Sequence, residues 1–160
     1  MALSAAAQVQ PPLLTGEFNH KIDSKGRLVL PSGFRSSYSG GGHLQVWQGT
    51  HLTLFTDAGY RIWAADTRQR LIDRGEMTGA SLQTAIRKLA RAAERVTPDA
   101  QGRFIVPPRF RGLAPLNTEV VVLGMFDRIE IWLPEALADE DPSSEVDLAM
   151  LQDDYESHHR

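Results

Sequence analysis

A thirteen-residue block occurs twice in this chain. Residues 23–35 read Asp-Ser-Lys-Gly-Arg-Leu-Val-Leu-Pro-Ser-Gly-Phe-Arg, and residues 99–111 read Asp-Ala-Gln-Gly-Arg-Phe-Ile-Val-Pro-Pro-Arg-Phe-Arg. At a constant offset, Asp23/Asp99, Gly26/Gly102, Arg27/Arg103, Pro31/Pro107, Phe34/Phe110 and Arg35/Arg111 are identical, and the apolar Leu28-Val29-Leu30 matches Phe104-Ile105-Val106. An ungapped match of this density restricts the fold to two copies of one supersecondary unit.

The chemistry of the block explains its identities. An Asp side chain accepts hydrogen bonds from amides two residues on and opens a turn, while Gly supplies the positive φ that other residues resist. The Arg that follows stands at the mouth of a short buried strand. Pro31 and Pro107 have no N–H to give a ladder, so each ends its strand and can start a one-turn helix. Phe34 and Phe110 would pin that helix to the sheet.

Each block leads into a hairpin. His43–Trp47 and Leu52–Phe55 flank a Gly49-Thr50 turn, and Glu119–Leu123 and Ile129–Trp132 flank a turn near 124–128. Their β-branched and aromatic runs around turn residues support that reading. Between the copies, residues 57–72 carry Tyr60, Trp63, Ala64, Thr67 and Leu71 at helical spacing, and residues 79–96 carry Leu82, Ile86, Leu89 and Ala93. Residues 74–79 separate them, which predicts a helical hairpin against the sheet. The expected organisation is a flexible leader over 1–16, a first unit over 17–56, the helical hairpin over 57–96, a second unit over 97–134 and an acidic helical tail over 135–160. Within that tail, weak helices are expected near 135–139 and 145–156, divided by Asp141-Pro142-Ser143-Ser144. The fold class is α+β.

Charge is unevenly placed. The whole chain has 17 Lys+Arg against 20 Asp+Glu, yet residues 134–160 hold nine acids and one base, and residues 1–133 hold 16 bases and 11 acids. An acidic tail thus hangs from a basic body. Within the body the excess sits on the repeats: Lys21, Lys25, Arg27 and Arg35 accompany Asp23, and Arg95, Arg103, Arg109 and Arg111 accompany Asp99. Two like basic modules suit a duplex, and a short Arg-tipped ribbon is the right size for a major groove. Arg27 and Arg103 fit two roles equally, an ion pair across the turn to Asp23 and Asp99 or a contact to base edges; the two Asp read as structural. Lys25 has Gln101 as its counterpart, so the first copy is expected to be the stronger DNA face.

Other chemistry lacks support. With no cysteine there is no disulfide framework, thiol catalysis or Cys-ligated metal. No phosphate-cradling Gly-rich loop, His-Glu-x-x-His or Gly-x-Ser-x-Gly occurs, and the histidines at 20, 43, 51, 158 and 159 lack metal-site spacing. His43 and His51 read as plain surface or sheet residues of a hairpin. Trp47, Trp63 and Trp132 read as core or subunit-interface packing. Neither an enzyme, a cofactor nor a metal is expected. The small apolar start lacks a basic n-region, and no stretch suits a bilayer span, so a cytoplasmic protein is expected.

The paired Asp-x-x-Gly-Arg blocks, with Gly-Glu-Phe-Asn-His-Lys-Ile-Asp-Ser-Lys-Gly-Arg-Leu-Val-Leu-Pro at 16–31 and Asp-Ala-Gln-Gly-Arg-Phe-Ile-Val-Pro-Pro at 99–108, resemble the MraZ family of bacterial transcriptional regulators, encoded at the start of the division and cell-wall gene cluster. The resemblance spans roughly residues 16–135, including the helix pair between copies. It implies a duplicated AbrB-like swapped-hairpin β-barrel, assembly into a ring-shaped homo-oligomer, and nucleoid-associated binding to repeated boxes in promoter DNA, with repression as the expected outcome and no membrane partner. The family's DNA-binding motifs map onto Asp23 to Arg27 and Asp99 to Arg103. Lys21, Lys25, Arg35, Arg109 and Arg111 are expected to neutralise phosphates. The alternative is an antitoxin-like protein–protein module whose acidic tail captures a basic partner; the tail could also shield the basic face.

Overall fold

The computed structural model describes residues 13–75, 79–140 and 148–158. Most of the expected leader, the middle of the 74–79 separator, the Asp141–Ser144 break and the expected start of the last helix lie outside these residues.

The first copy contributes β1 (Glu17–Ile22), β2 (Arg27–Val29), a 3-10 segment (Ser32–Tyr38) and the hairpin β3 (Gly42–Trp47) and β4 (His51–Thr56). The helices α1 (Asp57–Asp73) and α2 (Gly79–Ala92) follow. The second copy repeats the order with β5 (Glu94–Val96), β6 (Arg103–Ile105), a 3-10 turn (Pro108–Phe110), β7 (Thr118–Gly124) and β8 (Arg128–Trp132), before α3 (Pro134–Glu140) and α4 (Leu148–His158).

Strands of the two copies pair with one another. β1 pairs antiparallel with β7 of the second hairpin, β5 pairs with β3 of the first, and β4 and β8 join the hairpins side by side. One six-stranded antiparallel sheet results, in the order β1-β7-β8-β4-β3-β5, while β2 and β6 form a separate two-stranded ribbon. This corrects the expected barrel: the large sheet ends at β1 and β5 instead of closing. The three-residue β2 and β6 are cut short because Pro31 and Pro107 follow within two residues and cannot extend a ladder.

Two other expectations are corrected. The second helix was expected to run to 96 but stops at Ala92, and residues 94–96 become strand β5. Helical periodicity weakens there, and Val96 gains burial beside β3. At the other end, Leu14 is only 2% exposed and joins the core, exchanging backbone hydrogen bonds of 2.8 Å with Phe126 in both directions, so the leader is anchored before residue 16.

The core lies between sheet and ribbon. Ile22, Leu28, Leu30, Leu44, Leu52, Leu54, Phe104, Val106, Val120, Val122, Ile129 and Ile131 form it, with Phe34 and Phe110 from the 3-10 segments. The expected pinning role of both phenylalanines is therefore observed. α1 packs on the outer side of β3 and β4 through aromatic rings: Trp63 meets Trp47 at 5.8 Å and Phe55 at 5.5 Å, and Tyr60 stacks on His43 at 4.1 Å. Thr56 caps this helix by accepting the Gly59 amide at 2.9 Å. α2 has no buried residue and rests on α1.

His51 also departs from its plain surface or sheet reading. It is 4% exposed, stacked on Trp132 at 3.9 Å, with Nε2 2.8 Å from Glu130 Oε2. Trp132 Nε1 donates to the other Glu130 oxygen at 2.9 Å. Burial pushes the His51 pKa down despite the neighbouring carboxylate. Among the described residues, no helix is long and apolar enough to cross a membrane.

Candidate nucleic-acid interface

Both Asp-x-x-Gly-Arg turns adopt one geometry. Asp23 Oδ1 accepts the amides of Lys25 at 2.9 Å and Arg27 at 2.8 Å, and its Oδ2 accepts Arg27 Nε at 2.6 Å. Asp99 repeats this with the amides of Gln101 and Arg103, both at 2.9 Å, and with Arg103 Nε at 2.9 Å. The main chain closes each turn, with Asp23 N donating to Arg27 O at 3.0 Å and Asp99 N to Arg103 O at 2.9 Å. Gly26 and Gly102 take φ of 81° and 80°, a conformation only glycine adopts without strain.

Accepted backbone hydrogen bonds stabilise a carboxylate. The amide of Arg27 is the main cause that lowers the Asp23 pKa to about 2, helped by the Arg27 side chain and the Lys25 amide. The Asp99 pKa is lowered for the same reasons, the Arg103 amide first. Each Asp is therefore an anion at neutral pH, and it holds its arginine by Nε. The end-on fork of the guanidinium is not used by this contact. Arg27 and Arg103 remain 43% and 48% exposed, so the ion pair expected as one of two roles is present without occupying the whole side chain.

The ribbon brings the turns together. Arg27 lies opposite Ile105, Leu28 opposite Phe104 and Val29 opposite Arg103. Side chains alternate across a strand, and Leu28 and Phe104 face the core, so Arg27 and Arg103 share the outward face. Leu30 N to Gly102 O and Val106 N to Gly26 O, each 2.8 Å, extend the pairing into the turns.

Two arginines cover these turns reciprocally. The Arg35 side chain of the first copy lies over Gly102 of the second, where an added Cβ would meet Arg35 Nε at 2.8 Å. Arg111 of the second copy lies over Gly26 of the first, with Nη2 3.0 Å from such a Cβ. Both arginines are half-buried, and Arg35 Nε donates to Leu30 O at 3.4 Å. Sequence reasoning missed this brace, although the paired identities of Gly and Arg in each block were its trace.

The remaining basic residues separate by position. Lys25 is exposed in the first turn, and Lys21 is exposed on β1 opposite Glu119. Arg109 is occupied elsewhere: Nε pairs with Glu94 at 2.9 Å, and its Nη atoms donate to the carbonyls of Arg91 at 2.9 Å and Ala92 at 3.4 Å. It ties the end of α2 to the second copy, where a cation also complements the helix dipole.

Comparison with known proteins points to one family. A family model described as "MraZ protein, putative antitoxin-like" matches residues 89–140. The chain is 34% identical over 142 residues to a protein of Corynebacterium efficiens named "Transcriptional regulator MraZ", covering 89% of this chain and 96% of that one. It is likewise 34% identical over 149 residues to a protein of that name from Thermomicrobium roseum, covering 87% and 99%, and 35% identical over 123 residues to one from Limosilactobacillus reuteri, covering 77% and 83%. On its sequence and on the duplicated turns it folds, this chain belongs to the MraZ family.

Proposed function

We propose that this protein is a DNA-binding transcriptional regulator that presents the β2–β6 ribbon to the major groove. The observation that carries the reading is the antiparallel pairing of β2 with β6, which sets two Asp-held arginines on one outward face. An arginine fork can take guanine O6 and N7 together, and a partner that fixes the fork's direction lowers the ordering cost of that contact. Arg27 and Arg103 would read bases, with Asp23 and Asp99 positioning them. Lys21 and Lys25 would neutralise phosphates. Arg35, Arg111 and Arg109 would serve the face from beneath, by bracing the turns and the second copy.

The names of the relatives support regulation of transcription rather than catalysis. Strand pairing between the copies supports a swapped-hairpin duplication in one chain. Binding to repeated boxes before the division and cell-wall genes, a ring-shaped homo-oligomer, repression and a place on the nucleoid complete the proposal, since one ribbon covers little DNA and several linked ribbons would bind repeated sites together.

The test is binding to the DNA directly upstream of the protein's own gene over a salt series. Affinity should fall steeply with salt, and Arg27→Ala should cost about 1–3 kcal/mol and relax base preference. Unchanged promoter affinity in Arg27→Ala and Arg103→Ala would refute the reading. A second reading, capture of a basic partner by the acidic tail, is favoured by α4, where Leu148, Met150 and Leu151 are exposed on an acidic segment. Removing residues 141–160 separates the two, because DNA binding should survive the truncation and partner capture should not.

A further inference from the structure

The outward face of the ribbon is not purely basic. Arg27, Val29, Arg103 and Ile105 share it, and the two apolar members differ: Ile105 is 57% exposed, while Val29 is half-buried. Arg27 stands directly across from Ile105, so the two side chains are close cross-strand neighbours. Asp23 holds Arg27 by Nε and thereby limits how far the guanidinium can fold back over the isoleucine. Ile105 also lines an open depression of about 610 Å³ in which Arg27, Arg95 and Arg103 are accompanied by the carboxylates of Glu94 and Asp99.

Single exposed apolar residues are ordinary on protein surfaces. This one differs in its setting, exposed on the ribbon face directly across from Arg27 and on the same strand face as Arg103. Phosphate or guanine alone would leave it facing polar groups. A thymine edge would not, because its 5-methyl projects into the major groove beside acceptor atoms that arginine can reach.

We propose that Ile105 reads the 5-methyl group of a thymine next to the base held by Arg27, which makes the two ends of the ribbon read different bases. The proposal rests on the DNA-binding reading above. It adds to the expectation that the first copy is the stronger DNA face, since the reading end then combines Arg27 of the first copy with Ile105 of the second.

The experiment uses the full chain and two duplexes of the upstream DNA, one natural and one with every thymine replaced by deoxyuridine. The unmodified protein should bind the thymine duplex about fourfold more tightly, the factor expected from burying one methyl group. Ile105→Ala should bind both duplexes alike, and Ile105→Val, which keeps the branched apolar contact, should retain a preference. Equal affinity of the unmodified protein for the two duplexes would overturn the proposal, as would an undiminished preference in Ile105→Ala. If Ile105→Ala shifts the oligomeric mass in light scattering while the preference persists, Ile105 is a subunit contact and the proposal fails. Absence of salt-dependent binding to either duplex would instead defeat the DNA-binding reading itself.

Discussion

The first and second turns have almost superimposable hydrogen-bond schemes but unlike surroundings. Around Asp23 the turn carries Lys25, and Arg35 continues from it into a seven-residue 3-10 segment. Around Asp99 the turn carries Gln101, the 3-10 turn has three residues, and Arg109 is tied to Glu94 and the end of α2. The shared part is set within five residues by one carboxylate and one glycine. The differing part depends on what each copy receives from the other. Local turn chemistry therefore repeats faithfully, while exposure and charge around it do not.

The largest effect should come from removing both reading groups. If the turns act together on DNA, Arg27→Ala with Arg103→Ala should weaken promoter binding by more than either change alone, each costing about 1–3 kcal/mol in a binding titration. A double variant no weaker than Arg27→Ala would show that only the first turn is used, and the comparison would then be one of function and not merely of surroundings.

Next in size is the brace. Gly102→Ala and Gly26→Ala both force a side chain into positive φ, a strain of about 1–3 kcal/mol. Gly102→Ala should lower the melting temperature more, because Arg35 approaches to 2.8 Å there against 3.0 Å for Arg111 at Gly26. Equal losses in thermal unfolding would mean that the two braces yield alike.

Acid titration sharpens the comparison further. The pKa of Asp23 falls from an ordinary value of 3.8 to about 2 in the folded chain, so its contribution to stability is present above pH 3.8 and is lost as pH falls through about 2. Asp99 shifts in the same direction. Side-chain carboxyl resonances followed by NMR should show both titrating below the ordinary range. An Asp23 that titrates near 3.8 would show that the Arg27 and Lys25 amides do not hold it in solution.

The smallest effect concerns Lys25. Lys25→Gln, which copies the residue of the second turn, should leave base preference intact and reduce the slope of log affinity against log salt by about one. An unchanged slope would place Lys25 off the phosphates.

Much of this was legible in the residues. The repeat, the Asp–Gly–Arg turns, the proline strand ends, both hairpins and most of both long helices follow from local preferences that act within a few positions. Pairing between the copies was implied by the family resemblance, but strand β5 was not legible, because residues 94–96 alone carry too little pattern to separate a strand from the end of a helix. Val96 becomes part of a sheet only when β3 offers its edge. His51 was read as an ordinary hairpin residue for a similar reason: its partner Glu130 lies 79 positions away.

The amino-acid sequence by itself determined that two like arginine turns exist and how each is built, because their hydrogen bonds run between neighbours in the chain. Only the tertiary structure decided that both arginines share one face, that Arg35 and Arg111 each guard the other copy's glycine, and that Ile105 lies open between the arginines. Those relations depend on β2 pairing with β6 across more than seventy residues of chain, and burial of Leu28 against Phe104 sets that register.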